Sequence, residues 1–199
     1  MIPRHLLIGV TAMLAVVLGM SAYVWRMRGR VAATESSATY TRPVAPPVSG
    51  PTEQATLFVA YDDPGMLRAQ SARIPLPAGR QERAQELLRA LLELYLDKSS
   101  SHRLELGAEV RDVYLVDPGL AVIDLNAAFA DGHRSGVLVE ELTIASLVQT
   151  LSANLPGILR VRILVDGKAR ETLAGHADLS DFYDVSAVSQ LAAQLQGAQ

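Results

Sequence analysis

Val110-Arg-Asp-Val-Tyr-Leu-Val-Asp-Pro-Gly-Leu-Ala-Val-Ile-Asp-Leu125 is the stretch on which the fold turns. Its middle, Asp117-Pro118-Gly119, is a turn signal. Proline presets the first corner and glycine accepts the positive φ of the second. The flanks, 110–116 and 120–125, are rich in β-branched and apolar residues, so the spacing predicts an antiparallel hairpin. Val122, Ile123 and Leu125 make the second strand nearly continuous in apolar residues, which suits a central strand.

Outward from this hairpin, helical and extended patterns alternate. Upstream, Arg80–Leu96 carries Ala84, Leu87, Leu88, Leu91, Leu92, Leu94 and Tyr95 at three- and four-residue spacing, which predicts an amphipathic helix. Before it, Thr56–Tyr61 reads as a strand stopped by Asp62-Asp63-Pro64-Gly65, and Arg73–Pro77 as an extended segment. Downstream, Val137–Asn154 carries Leu138, Leu142, Ala145, Val148 and Leu151 on one stripe, which runs on to Leu155, and stops at Pro156-Gly157, predicting a second helix. Leu159–Val165 alternates cleanly and leads into Asp166-Gly167, a two-residue hairpin turn, with a return strand expected near Glu171–Leu173. The predicted order is β-α-β-β-α-β-β. It implies an α+β two-layer sandwich, a mainly antiparallel sheet with two helices on one face. Val185–Gln199 predicts a further weak helix.

The N-terminus has a different character. Leu6–Trp25 is a run of 20 residues without a charge. A helix of that length crosses the ~30 Å hydrocarbon core of a bilayer. Tyr23 and Trp25 suit its interface, and Arg26, Arg28 and Arg30 follow. The run is longer than the apolar region of a cleaved signal peptide, so an uncleaved transmembrane anchor is expected over residues 1–30. Residues 31–55, with Pro43, Pro46, Pro47 and Pro51, read as a semi-stiff tether. The folded domain is expected at 56–183 and a tail at 184–199. Counted by the positive-inside rule, the arginines place the C-terminal domain in the cytoplasm.

With 18 basic and 21 acidic residues, the net charge of −3 creates no strong field, and nucleic acid is not an expected partner. The absence of cysteine excludes disulfides, thiolate catalysis, zinc–cysteine sites and a lipid anchor on cysteine. No Gly-x-Ser-x-Gly, Walker or dinucleotide motif occurs. His102, His133 and His176 lack metal-ligand spacing. Neither catalytic residues nor a cofactor or metal site is therefore expected.

Several polar residues stand out. Asp124 lies in an apolar strand and needs a partner, for which the amides of 126–128 are the expected donors. Glu140 and Glu141 suit the first turn of a helix through its dipole. Gln149 and Thr150 are polar within a buried stripe, and Thr150 is expected to bond a carbonyl one turn back. Asp62 and Asp63 read as turn formers.

Three stretches in order carry a family likeness. They are Ala121–Asn126 with Phe129; Glu140-Glu141-Leu142 with Leu147–Leu151; and Val161–Gly167 followed by Leu173–Ser180. Together they resemble the GerMN domain family across about 56–183. The resemblance marks Asp124, Glu141, Gln149, Thr150, Asp166, Gly167, Gly175 and His176 as motif residues, with His176 expected to hydrogen-bond the loop that closes the sheet. It implies a non-enzymatic, extracytoplasmic envelope domain on the cytoplasmic membrane, linked to sporulation, germination or envelope assembly. An envelope protein or cell-wall component is then the implied partner, and self-association stays open. Two rival readings are an envelope hydrolase using Asp62, Asp124 or His176, and a cytoplasm-facing interaction module.

Overall fold

The computed structural model describes residues 51–116 and 118–197. The apolar run 6–25, its arginine flank, tether residues 31–50 and Asp117 lie outside the described residues. Among the described residues no helix is long and apolar enough to cross a membrane.

The fold is α+β, with two sheets instead of the single sheet expected. β1 (Thr52–Tyr61) and β2 (Met66–Pro75) form a two-stranded hairpin with Tyr61 opposite Met66. The Asp62–Gly65 turn therefore reverses the chain. β1 begins four residues earlier than its apolar run suggests, and the extended segment expected at 73–77 is the far end of β2. β3 (Val110–Val116), β4 (Leu120–Leu125), β5 (Arg160–Val165) and β6 (Tyr183–Asp184) form the second sheet in that order. β3–β4 and β5–β6 are antiparallel, whereas β4–β5 is parallel.

The parallel pair needs a crossover, and the chain supplies two helices for it: α2 (Ala127–Asp131) and α3 (Val137–Asn154). The predicted return strand at 171–173 is not formed. Val165 and Lys168 bridge across the Asp166-Gly167 turn, but the strand that pairs with β5 comes later, at Tyr183–Asp184.

α1 (Arg80–Leu96) buries Ala84, Leu87, Leu88, Leu91, Leu92 and Tyr95, the stripe its spacing predicts, although Leu94 stays exposed. α3 is different. Every residue from Leu142 to Leu151 is buried, so the helix is enclosed on all sides. α4 (Val185–Gly197) packs on it through Val188 and Ala192. The inward residues of the large sheet, Val113, Ala121, Ile123, Leu125, Val161 and Ile163, join α1, α3 and the hairpin in one apolar core.

Candidate functional site

Because α3 is enclosed, its polar residues have to find partners inside the protein. They do so in three places. Along one face, Ser146, Thr150 and Asn154 recur every four residues and meet the free edge of β1. Asn154 Oδ1 accepts the Thr56 amide at 3.0 Å while its Nδ2 donates to Thr56 O at 2.7 Å. Thr150 Oγ1 accepts the Phe58 amide at 3.0 Å, and Ser146 Oγ donates to Phe58 O at 2.6 Å. Tyr95 of α1 continues the series, its hydroxyl accepting the Ala60 amide at 2.8 Å. Thr150 thus bonds a strand across the core and not a carbonyl one turn back. On another face, Gln149 Nε2 donates to Ser189 Oγ of α4 at 2.9 Å.

The second place is the first turn of α3. Of the two neighbouring glutamates, Glu140 is the wholly buried one. Its carboxylate accepts four backbone amides: Gly136 at 3.1 Å, Ala174 and His176 at 3.0 Å, and Ala177 at 2.9 Å. His176 Nδ1 approaches Glu140 Oε1 at 3.0 Å and Ser135 Oγ at 3.3 Å. Burial by itself pushes the carboxyl up, but the amide and imidazole donors outweigh it and hold its pKa at about 2. Glu140 is therefore an anion that fastens loop 173–177 to the helix. Gly175 makes that loop possible by adopting φ +119°. Glu141, by contrast, is half-buried and lines a groove of about 400 Å³ with His176, Asp178, Tyr183 and the apolar Ile144 and Leu191. Burial raises the Tyr183 phenol, and the nearby carboxylates Asp178, Glu141 and Glu140 help push it to about 12.

The third place joins residues that looked scattered in the sequence. His102 Nδ1 lies 2.6 Å from Asp62 Oδ1, and His102 Nε2 lies 2.8 Å from Thr143 Oγ1. His133 Nε2 reaches the same hydroxyl at 2.7 Å, and Arg134 Nη1 donates to Asp62 Oδ2 at 2.6 Å. Burial raises the Asp62 carboxyl, yet the His102 hydrogen bond and the charges of His102 and Arg134 leave it below its usual range. Carboxylate, imidazole and hydroxyl in a row have the order of a nucleophilic triad. Thr143, however, is 0% exposed, and its hydroxyl also donates to Val139 O at 3.0 Å. Enclosed by two imidazoles and a carbonyl, it offers no path to a substrate. The row clamps the 62–65 turn and the 133–136 loop to α3.

The remaining motif residues cluster at the far end of the large sheet. Asp124 Oδ1 accepts the Gly167 amide at 2.7 Å, so its partner is not among the amides of 126–128. Asn126 takes that role, capping α2 by accepting the Phe129 amide at 2.9 Å. Asp166 and Gly167 adopt φ +50° and +71°, as a two-residue turn requires. Arg111 Nη1 donates to Asp166 Oδ1 at 3.0 Å. Among the described residues no three His, Asp or Glu side chains converge as a metal site would need.

Glu140 gave a weak sequence signal: an acid in a first helical turn is usually explained by the dipole. Nothing in the sequence joined Asp62, His102, His133 and Thr143 to one another, since their partnership exists only after the turn, two loops and a helix meet.

No curated protein matches the chain by sequence. Among solved structures, it is similar to the first GerMN domain of the sporulation protein GerM from Bacillus subtilis. That match has 20% identity and a TM-score of 0.49, covering 67% of this chain and 98% of that one. It is also similar to the tandem GerMN domains of the same Bacillus subtilis protein, with 18% identity and a TM-score of 0.49. Here 67% of this chain is covered but only 46% of the tandem protein. Residues 56–171 match the family described as Germane, sporulation and spore germination. Since that match spans more than half of the 199 residues, the chain belongs to the Germane family of GerMN-like domains.

Proposed function

We propose that this protein is a membrane-tethered, non-enzymatic module of the bacterial cell envelope. It acts in protein or cell-wall-associated binding and assembly during sporulation or germination. Its domain stands outside the cytoplasmic membrane, held by a transmembrane helix over residues 6–25. Membership of a sporulation and germination family supports the process. The apolar run followed by a proline-rich stretch supports the tether.

The observation that carries the binding reading is the internal use of the domain's strongest polar groups. Glu140 accepts four amides, and Thr143 is sealed between two histidines. Chemistry of the hydrolytic kind needs such groups open to substrate. Here they fix loops, and the solvent face is left to recognition.

The test has two arms. An enzyme reporter fused after Gln199 should be active only in its extracytoplasmic form; activity only in the cytoplasmic form would reverse the orientation. The purified chain should leave peptidoglycan and ester substrates intact. Turnover that disappears in His176→Ala would establish the hydrolase reading instead.

A further inference from the structure

Glu140 is neutralised by the chain's own amides, whereas its neighbour Glu141 is not. Among the described residues Glu141 makes no hydrogen bond and no ion pair. It is nevertheless half-buried, in the groove that α3, α4 and residues 176–178 enclose. The base of that groove is apolar. Ile144 is 3% exposed and Val188 6%, with Leu191 half-buried beside them. Asp178 stands exposed at the margin. Its Oδ1 accepts the amide and hydroxyl of Ser180, and its Oδ2 makes no hydrogen bond among the described residues. Neither lysine nor arginine lines the groove. Burial is the main reason the Tyr183 phenol is raised, and the charges of Asp178 and Glu141 add to it, so the groove carries a negative field. A half-buried carboxylate with no counter-charge has lost hydration that a cation would replace.

We propose that this groove takes a lysine side chain of a partner polypeptide, its stem against Ile144, Val188 and Leu191 and its ammonium at Glu141. Lysine is divided as the groove is, into an apolar stem and a charged head. Its ammonium is a compact charge with three donors that turn freely. That suits acceptors standing on separate elements, Glu141 on α3 and Asp178 on the loop. The planar fork of arginine instead favours one carboxylate set for bidentate contact. The size of the groove favours a polypeptide over a free amine. At about 400 Å³ it falls in the range of pockets that bury a drug-sized molecule, more than one stem fills. Val137, 56% exposed, lies one turn before Glu141 on the same face of α3, so apolar surface continues past the carboxylate. Apolar residues flanking the lysine in a peptide would cover it.

This role rests on the domain being a binding module, which the reporter fusion and the substrate assays test without involving the groove. Half-exposed ion pairs contribute modestly, so one side chain binds weakly and the test has to register weak occupancy.

The absence of native cysteine lets a single introduced thiol report that occupancy. Ala187 is exposed and lines the groove from α4, so Ala187→Cys places the thiol there. Leu106→Cys, at a site 74% exposed and outside the groove, is the control. The full chain in neutral detergent is equilibrated with small disulfides under a fixed excess of reducing thiol. Their tails end in an ammonium, a hydroxyl or a carboxylate, and mass spectrometry reads the fraction retained. At Ala187→Cys the ammonium tail should be retained several-fold more than the hydroxyl tail, and the carboxylate tail least. Glu141→Gln, nearly isosteric and at a side chain without a partner among the described residues, should remove most of that preference. A short peptide with a lysine between apolar residues should lower retention of the ammonium tail at several-fold lower concentration than N-acetyl-lysine amide. The same peptide with its lysine acetylated should not. Equal retention of the three tails, the same preference at Leu106→Cys, or a preference unmoved by Glu141→Gln would overturn the site. Competition by N-acetyl-lysine amide as strong as that of the peptide would overturn the polypeptide partner.

Discussion

The hydroxyl of Thr150 accepts the backbone amide of Phe58 at 3.0 Å, although 92 positions separate the two residues. With Ser146 and Asn154 it makes one face of α3 act as a substitute strand beside β1. Thr150→Val keeps the shape but leaves a buried N–H without a partner. A loss of about 1–3 kcal/mol is expected. Chemical denaturation should register it, and hydrogen exchange should show the Phe58 amide losing protection before those of β4.

Glu140→Gln replaces an oxygen that accepts backbone amides with a group that can only donate. The variant should lose roughly 2–4 kcal/mol, in line with breaking a buried charge-assisted network. The pH dependence has a definite sign. The folded carboxyl, at about 2, lies below its unfolded value, so its contribution is complete above the unfolded pKa. It is lost as pH falls from there toward 2. Thermal melts of the wild type should therefore decline steeply with acidification over that window. The decline should be distinctly shallower in Glu140→Gln.

His133 adds a separate slope nearer neutrality. Burial lowers its pKa in the folded chain, so the unfolded chain takes up the proton first as pH falls. Stability should drop as pH goes below the ordinary histidine value of about 6.5. His133→Gln should flatten the melting temperature between about pH 7 and 5.5, where histidine titrates. An unchanged slope in that variant would assign the effect elsewhere.

Gly119 has φ +76°, and a Cβ there would sit 2.9 Å from Gly157 O. Its own carbonyl accepts the Leu159 amide at 2.7 Å and the Arg160 amide at 3.1 Å. Gly119→Ala combines a left-handed backbone with a backbone clash at the β3–β4 turn. The expected loss is about 1–3 kcal/mol, measurable by thermal unfolding.

Local patterns announced much of this fold. The stripe of Leu87, Leu88, Leu91 and Leu92 defines α1, and Pro156-Gly157 closes α3 at its predicted end. The hairpin joining Val116 to Leu120 and the positive φ values of Asp166 and Gly167 follow from turn chemistry. β2 was hidden because Arg68, Gln70 and Arg73 interrupt its apolar residues and Pro75 suggests a loop. The short β6 was hidden because two residues carry no periodicity. Two sheets, and not one, arise because Ser146, Thr150 and Asn154 satisfy the edge of β1, which no sequence period announces. The same blindness applies to the site. Three of the four amide donors of this buried anion are 34 to 37 positions away, so only the folded chain identifies Glu140 rather than Glu141.

That anion also bears on where the protein can be cut. The family match ends at residue 171, yet three of the four amides that neutralise Glu140 come from residues 174–177. A fragment trimmed to the matched segment would strand a negative charge in an apolar interior. It would also remove Val188 and Ala192, which roof the same helix. Boundaries drawn from family likeness alone therefore cut between a buried charge and the groups that hold it.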